Sequence, residues 1–256
     1  MTPDLPEAFL RAPIAHRGLH DVTDRRPENS RAAVRAAIAH GYGIEIDLQL
    51  TADEQAVVFH DYDLSRLTPE QGPIRQRRLA DIQRIALTHG DGETIPTLAD
   101  ILALVRGRVP LLVEIKDQDG AMGPQVGPLE QATAVALQDY EGPVAVMSFN
   151  PHSVSRMADL LPDLPRGLVT SGFDPEDWPL PVDTCDHLRL IPDFTSSRAG
   201  FISHDKPDLA RDRVQALRQD GVPVLCWTIR SIEEEAQARL LADNITFEGY
   251  LAERPA

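Results

Sequence analysis

Short apolar runs alternate with longer amphipathic stretches along most of this chain. Most of the short runs are almost continuously apolar, which is typical of parallel strands that are buried on both faces. They predict strands at residues 13–16, 43–50, 57–60, 111–115, 144–149, 167–170, 187–191, 222–228 and 246–251. The amphipathic stretches predict helices at residues 30–40, 79–86, 98–106, 128–138, 151–161, 206–220 and 232–243. Residues 71–78 and 171–186 follow neither pattern and predict long loops.

Regular alternation of strands and helices predicts an α/β fold with a parallel sheet. The strand at 57–60 is the exception, because it follows 43–50 after only a few residues. A parallel crossover needs about a dozen residues or more, so these two strands must form an antiparallel hairpin. Without the hairpin strand the count fits a closed (β/α)₈ barrel, with a doubly wound open sheet as the alternative. No repeat or long linker divides residues 1–256, which predicts a single domain.

The charge balance excludes several classes of partner. Lys and Arg number 25 and Asp and Glu number 40, which gives a formal net charge of −15 at pH 7. Nucleic acid and anionic lipid both require a cationic surface, so we expect neither nucleic-acid binding nor stable membrane association. The chain has no apolar stretch of membrane-spanning length and no signal-peptide pattern, which favours a cytoplasmic protein. Cys185 and Cys226 are too few for a disulfide framework.

Acidic residues interrupt two of the apolar strands. Glu45 and Asp47 are two residues apart in GIEIDLQL, so both carboxylates share one face of the strand, roughly 6.5 Å apart. Glu114 and Lys116 share one face at the end of LLVEIK in the same way. Buried carboxylates are costly unless a cation compensates them, and that cation is either a nearby arginine or a bound metal. Oxygen ligands without paired histidines or cysteines favour Ca²⁺ or Mg²⁺ over zinc.

Two histidines end separate predicted strands. A histidine at a strand end is as often structural as catalytic, but His16 and His60 together could serve as general base and general acid at neutral pH. Arg17 offers a forked donor for phosphate oxygens and Lys116 offers a point charge. Gly18 allows the backbone to come close to a ligand.

These features occur within an ordered set of motifs. The motifs are His16-Arg17-Gly18, Pro27-Glu28-Asn29-Ser30, Glu45-x-Asp47 with Leu50-Thr51, His60-Asp61-x-x-Leu64-x-Arg66-x-Thr68, Ile95-Pro96-Thr97-Leu98, Glu114-Ile115-Lys116, Ser148-Phe149 and Trp227-Thr228. The set resembles the glycerophosphodiester phosphodiesterase family. Each motif is weak alone, but their order is specific, and together they span most of the chain.

The resemblance implies a TIM barrel with its site at the carboxyl ends of the strands and a short insertion at residues 61–97. It also implies roles for individual residues. Glu45, Asp47 and Glu114 would hold Ca²⁺ or Mg²⁺, His16 and His60 would be the general acid and base, and Arg17 and Lys116 would bind the phosphodiester. Trp227 could stack on the glycerol or the head group of a substrate, or could simply pack in the core. Glu28, Asn29 and Asp61 are candidates for orienting these groups.

The expected activity is metal-dependent hydrolysis of a small glycerophosphodiester to glycerol 3-phosphate and an alcohol. Two alternatives use the same residues: a lysophospholipase D-like activity on lysophospholipids, and a non-catalytic barrel that binds phosphate esters. The chain departs from the family pattern at Asp53-Glu54, where Asp-Gly is common in the hairpin turn, and at Arg230, where asparagine is common. Ala252-Glu253 replaces a Thr-Asp pair near the C-terminus. The oligomeric state and the choice of alcohol are left open.

Overall fold

The computed structural model describes residues 2–254. Within this range the strands are β1 (Ile14–Ala15), β2 (Gly43–Leu50), β3 (Ala56–Val58), β4 (Leu111–Ile115), β5 (Val144–Ser148), β6 (Arg166–Thr170), β7 (Phe201–Asp205), β8 (Val224–Ile229) and β9 (Asn244–Phe247). The α-helices are α1 (Ala8–Arg11), α2 (Arg31–His40), α3 (Leu79–Ile82), α4 (Leu98–Val105), α5 (Pro128–Leu137), α6 (Pro151–Leu160), α7 (Val182–Arg189), α8 (Asp212–Gln219) and α9 (Ile232–Ala238). None of the helices between residues 2 and 254 has the length and apolar character needed to cross a membrane.

All the strands except β3 form one closed barrel. Neighbouring strands around the ring are parallel, in the order β1, β2, β4, β5, β6, β7, β8 and β9. Strand β1 closes the ring because it pairs with both β2 and β9. Strand β3 pairs antiparallel with β2 and lies outside the ring. The structure therefore confirms the predicted (β/α)₈ barrel and the hairpin at its second strand.

The amino end of the barrel is filled with apolar side chains. Phe9 on α1 is fully buried there, in the same cluster as Phe201 and Leu225 from the barrel interior. Asn244 on β9 fastens this segment, because its side-chain amide donates to the backbone carbonyl of Phe9 at 2.7 Å. Polar chemistry is therefore left to the carboxyl end of the strands, as in other barrels of this type.

Several helices begin and end at residues with capping geometry. The Ser30 hydroxyl accepts a hydrogen bond from the backbone of α2, and Gly41 ends that helix with φ 70°. Asn150 caps α6 in the same way and precedes a proline in the first turn. The connection at Asn150 is short, because α6 begins at Pro151 and β5 ends at Ser148, whereas a longer segment lies between β1 and α2.

Residues 187–191 do not form a strand, and this part of the prediction was wrong. They overlap the end of α7, where Cys185 and Leu188 are buried while Leu190 is 63% exposed. Burial three residues apart is the spacing of a helix, whereas a strand would bury Leu188 and Leu190 on one face. The sixth strand of the barrel is instead β7, which was missed because Ser203 and the following histidine interrupt its apolar run.

Residues 61–97 connect the hairpin to α4 and lie against β3. They contain two 3₁₀ turns and one short α-helix, α3, where a longer helix was predicted over 79–86. Their apolar side chains form a cluster separate from the barrel core with those of the hairpin strand: Val57, Phe59, Leu64, Ile74, Ile82, Ile85, Leu87 and Ile95. The helix predicted over 206–220 is also shorter, because a 3₁₀ turn at Lys206–Asp208 precedes α8.

Candidate active site

Three carboxylates meet near the carboxyl ends of β2 and β4. Asp47 and Glu114 are register partners on these parallel strands, and Glu45 lies two residues before Asp47 on the same face. One oxygen from each carboxylate lies within 4.8 Å of the other two, and all three residues are buried. The structure thus brings together the three acids that the strand pattern singled out.

Two cationic side chains contact this cluster. Lys116 Nζ lies 2.7 Å from Asp47 Oδ1 and 2.6 Å from Glu114 Oε1. Arg17 Nε lies 3.4 Å from Asp47 Oδ2, and the backbone N–H of Arg17 donates to Glu45 Oε2 at 2.9 Å. The ion pairs considered from the sequence are therefore present for Asp47 and Glu114, while Glu45 is bound by a backbone group.

Glu45 is the least compensated member of the cluster. Its Oε1 atom is buried and has no hydrogen-bond partner among residues 2–254. Burial, together with the nearby carboxylates of Asp47 and Glu114, raises the pKa of Glu45 well above its ordinary value. An unpartnered carboxylate oxygen beside two further oxygen donors is the environment that a hard divalent cation stabilises. The residues present therefore fit Ca²⁺ or Mg²⁺.

Asp47 has the opposite electrostatic environment. Burial disfavours its carboxylate, but the neighbouring Lys116, His60 and Arg17 together lower the pKa of Asp47 below its ordinary value. The side-chain amide of Asn29 also donates to Asp47 Oδ2 at 2.8 Å. Asp47 is therefore ionised at neutral pH and holds both cationic side chains at the site.

The turn after β1 brings Arg17 to the acids. Arg17 and Gly18 both have left-handed backbone conformations, with φ 53° and 76°. A Cβ atom at Gly18 would lie 2.9 Å from the Cβ of Ala33, so the turn can approach α2 this closely only with glycine. Arg17 Nη1 pairs with Glu28 Oε1 at 2.6 Å, which fixes the guanidinium.

His16 is oriented by a carboxylate from the far end of the chain. Its Nδ1 lies 2.6 Å from Glu248 Oε2, directly after β9. When Nδ1 donates to this carboxylate, Nε2 is the nitrogen left free to accept a proton. Burial lowers the pKa of His16, and the hydrogen bond to Glu248 opposes this effect without outweighing it. The neutral imidazole, which a general base requires, is therefore favoured at pH 7.

His60 has a similar partner next to it in sequence. Its Nδ1 lies 2.6 Å from Asp61 Oδ1, and Arg66 Nε donates to Asp61 Oδ2 at 2.6 Å. The side-chain amide of Gln49 donates to the backbone carbonyl of His60 at 3.0 Å and ties this residue to β2. The hairpin strand ends two residues earlier than predicted, so His60 lies just beyond it.

A cavity of about 180 Å³ brings these groups together. Of the sequence-predicted residues, His16, Arg17, Glu45, His60, Glu114, Lys116 and Trp227 line it. Trp227 lies on β8; its indole N–H donates to the carbonyl of Ser203 at 3.0 Å, and its ring packs edge-on against Phe149, with centroids 5.6 Å apart. The hydroxyl of Ser203 is buried without a partner in the described part of the chain and could bind a polar ligand.

The sequence analysis missed Glu248. This residue also lies 2.8 Å from Arg230 Nε, so the arginine that replaces the common asparagine supports the carboxylate that orients His16. Nothing in the sequence distinguished Glu248 among 40 acidic residues, because 232 positions separate it from its histidine. Glu253, the acidic residue of the Ala252-Glu253 pair that departs from the family pattern, is exposed to solvent.

The sequence of this chain matches the Glycerophosphoryl diester phosphodiesterase family over residues 16–245. The chain belongs to this family. The glycerophosphodiester phosphodiesterase of Caldanaerobacter subterraneus is 30% identical to it over 229 residues, covering 86% of each chain. The protein YhdW of Bacillus subtilis is 28% identical over 250 residues, covering 94% of each chain.

Solved structures of similar proteins have the same fold. A phosphodiesterase from Oleispira antarctica, solved in complex with sn-glycerol-3-phosphate, superposes with a TM-score of 0.75 at 24% identity, covering 92% of this chain and 91% of that one. As a member of the family, the protein is an enzyme, a phosphoric diester hydrolase that acts on glycerophosphodiesters.

Proposed function

We propose that the enzyme hydrolyses glycerophosphodiesters to glycerol 3-phosphate and an alcohol, with a divalent cation held by Glu45, Asp47 and Glu114. The observation that carries this proposal is the meeting of a buried carboxylate cluster and two carboxylate-supported imidazoles at one cavity. The glycerol phosphate bound to the Oleispira antarctica relative is the product expected of this reaction. The whole chain, residues 1–256, would act as one domain, with 61–97 as an insertion.

The phosphodiester would be bound by Arg17 and Lys116. Arg17 presents a guanidinium at the cavity that is already fixed by Glu28, so little conformational entropy is lost when it binds phosphate oxygens. Lys116 adds a second positive charge on the side of Glu114. When bound, Ca²⁺ or Mg²⁺ would neutralise further charge on the phosphate oxygens.

The two histidines would divide the proton transfers. His16 is the better candidate for general base, because its buried imidazole is neutral and its Nε2 is free to take the proton of a water molecule or of the glycerol hydroxyl. His60 would then protonate the oxygen of the leaving alcohol. Attack by the glycerol hydroxyl would give a cyclic phosphate first, whereas attack by water would give glycerol phosphate directly.

The experiment measures glycerol phosphate release from glycerophosphocholine and glycerophosphoethanolamine after EDTA treatment and after Ca²⁺ or Mg²⁺ is restored. We expect turnover to return with the cation in the wild type and not in Glu45→Gln. Glu253→Gln removes an exposed carboxylate and serves as the matched control. Lysophospholipids with the same head groups are tested in parallel, and exclusive cleavage of these would contradict the proposed substrate.

Thermal unfolding provides a readout independent of activity. A cation at about 100 times its Kd stabilises the folded state by about 2.7 kcal/mol, so its addition is expected to raise the Tm of the wild type. Glu45→Gln is expected to lose this increase and to unfold at a higher temperature than the cation-free wild type, since a buried and poorly compensated carboxylate has been removed. Equal increases in both proteins would contradict the metal assignment.

A further inference from the structure

The cavity continues past His60 into an open cleft of about 460 Å³. The two spaces share His60, Glu114, Lys116 and Phe149 as lining residues. A phosphodiester held at Arg17 and Lys116 could therefore direct one of its two alcohol groups into this cleft. The chemistry of the cleft wall then decides which alcohol is preferred.

One wall of the cleft is aromatic. The rings of Phe149 and Trp178 have centroids 5.1 Å apart, inclined at 58°, and Phe173 supports both from behind. Tyr62 also lines the cleft; it is 51% exposed and is held by a hydrogen bond from its hydroxyl to the carbonyl of Asp117 at 2.6 Å. Aromatic faces presented to a polar cleft attract cations through the ring quadrupole.

The charges around the cleft are mainly negative. Asp117 is buried, and its carboxylate accepts hydrogen bonds from the uncharged amides of Met122 and Asn150. Asp63 also lines the cleft and accepts from a backbone N–H. The charge of Asp61, by contrast, is compensated by an arginine outside the cleft.

Lys116 is the cationic side chain of the cleft lining, and it is already bound to Asp47 and Glu114. Asp63 and Asp117 are different, because within residues 2–254 neither forms an ion pair, and a cation entering the cleft therefore meets two carboxylates that no cationic side chain neutralises. The formal net charge of −15 also favours a cationic alcohol, because it disfavours the approach of substrates with a net negative charge.

We propose that this cleft binds the alcohol part of the substrate and selects alcohols that carry an ammonium group, of the choline or ethanolamine type. Trp178 and Tyr62 would contact the cation, and Asp63 and Asp117 would supply the attracting charge. This inference rests on the proposed function, because it concerns specificity within that reaction.

The test compares two substrates of the same shape. One is glycerophosphocholine, and the other is the 3,3-dimethylbutyl ester of glycerol phosphate, in which carbon replaces the quaternary nitrogen. We expect kcat/KM of the metal-loaded enzyme to be about 2- to 30-fold higher for the cationic ester, the range that corresponds to a single cation–π contact. Equal values for two well-cleaved esters overturn the inference and leave the proposed function intact. If neither ester is cleaved, the proposed function fails and the inference fails with it.

Substitutions of cleft residues test which side chains cause the preference for the cationic ester. Trp178→Leu is expected to bring the ratio of the two kcat/KM values towards one, while Trp178→Phe retains most of it. Asp177→Asn removes an exposed acid beside Trp178 that does not line the cleft, so the ratio should not change. If Trp178→Leu does not fold, Tyr62→Leu provides the same test at a more exposed position. If the folded leucine variants keep the wild-type ratio of the two kcat/KM values, the preference for the cationic ester does not come from these aromatic side chains. That result overturns the proposal.

Discussion

His16 and His60 each lie with a ring nitrogen 2.6 Å from a carboxylate oxygen, yet the two carboxylates come from very different parts of the chain. Asp61 directly follows its histidine, whereas Glu248 is 232 residues away and reaches His16 only because β9 closes the barrel against β1. Each carboxylate is also held by an arginine, Arg66 in one pair and Arg230 in the other. Each histidine is therefore oriented by a carboxylate. For His60 the carboxylate belongs to the next residue, and for His16 the closure of the barrel brings it close.

The two pairs differ in burial. The side chain of His16 is 15% exposed and that of His60 is 31% exposed. Burial favours the neutral imidazole, so the remote pair is suited to accept a proton, while the local pair lies beside the open cleft where an alcohol would leave. In the proposed mechanism, it is therefore the position of each histidine, more than its carboxylate partner, that distinguishes the base from the acid.

The largest effect is expected from removing either imidazole. His16→Ala and His60→Ala should each lower kcat by roughly 10²- to 10⁴-fold, the usual contribution of general acid–base catalysis. Steady-state kinetics with glycerophosphocholine would measure this, with circular dichroism confirming that the variants are folded. If one variant retains wild-type kcat, its histidine has no role in proton transfer and the comparison fails.

The pH profile should separate the two roles. A general base must be neutral, and burial lowers the pKa of His16, so the acidic limb of kcat/KM should lie below the ordinary histidine value of about 6.5. Activity would therefore fall only as the pH drops through this lowered pKa. An acidic limb above pH 7 would contradict the assignment of His16 as the base.

Glu248→Gln should have the next largest effect, a loss of about 10- to 100-fold in kcat, because the amide orients His16 less firmly. The carboxylate raises the pKa of His16, so its removal should also move the acidic limb to lower pH. If Glu248 had only a structural role, the acidic limb of the kcat/KM profile would stay at the same pH. Glu253→Gln again controls for the loss of one negative charge near the C-terminus.

Asp61→Asn should lower kcat by less, about 10-fold or below. His60 is also fixed through its backbone by Gln49, so its position depends less on the carboxylate. The variant should in addition lose acid-dependent stability. Despite partial burial, hydrogen bonds from His60 and Arg66 lower the pKa of Asp61, so its stabilising contribution is present above about pH 4 and is lost as the pH falls below that value. Urea unfolding at pH 7 and pH 3 should therefore show a smaller difference for Asp61→Asn than for the wild type.

The smallest effect concerns the turn of the hairpin that precedes His60. Glu54 is exposed and has φ 55°, a conformation that glycine adopts without the cost borne by other residues. Glu54→Gly should raise the free energy of unfolding by about 0.5–1 kcal/mol, or the Tm by about 2 °C, with kcat unchanged. A decrease in Tm would mean that the greater freedom of glycine in the unfolded chain outweighs the relief of the turn.

The periodicity and spacing of apolar residues were sufficient to predict most of the fold of this protein. The apolar runs predicted seven of the eight barrel strands, and the short gap before residues 57–60 predicted the antiparallel hairpin. The exception was β7, where Ser203 lines the cavity instead of an apolar core, so a residue that obscured the strand in the sequence lies at the candidate site. The strand mistakenly placed at 187–191 had suitable composition, and only the burial of Cys185 with Leu188 distinguishes it as a helix.

Local features of the sequence were thus enough for the barrel, the paired acids on β2 and the two histidines, because strand alternation and helix capping act over a few residues. The Glu248–His16 pair, the unpartnered oxygen of Glu45 and the aromatic cleft beside His60 depended on the tertiary structure. Each of these joins segments that are distant in sequence. Their distances and their desolvation are set only when the ring of strands closes and water is excluded from its carboxyl end.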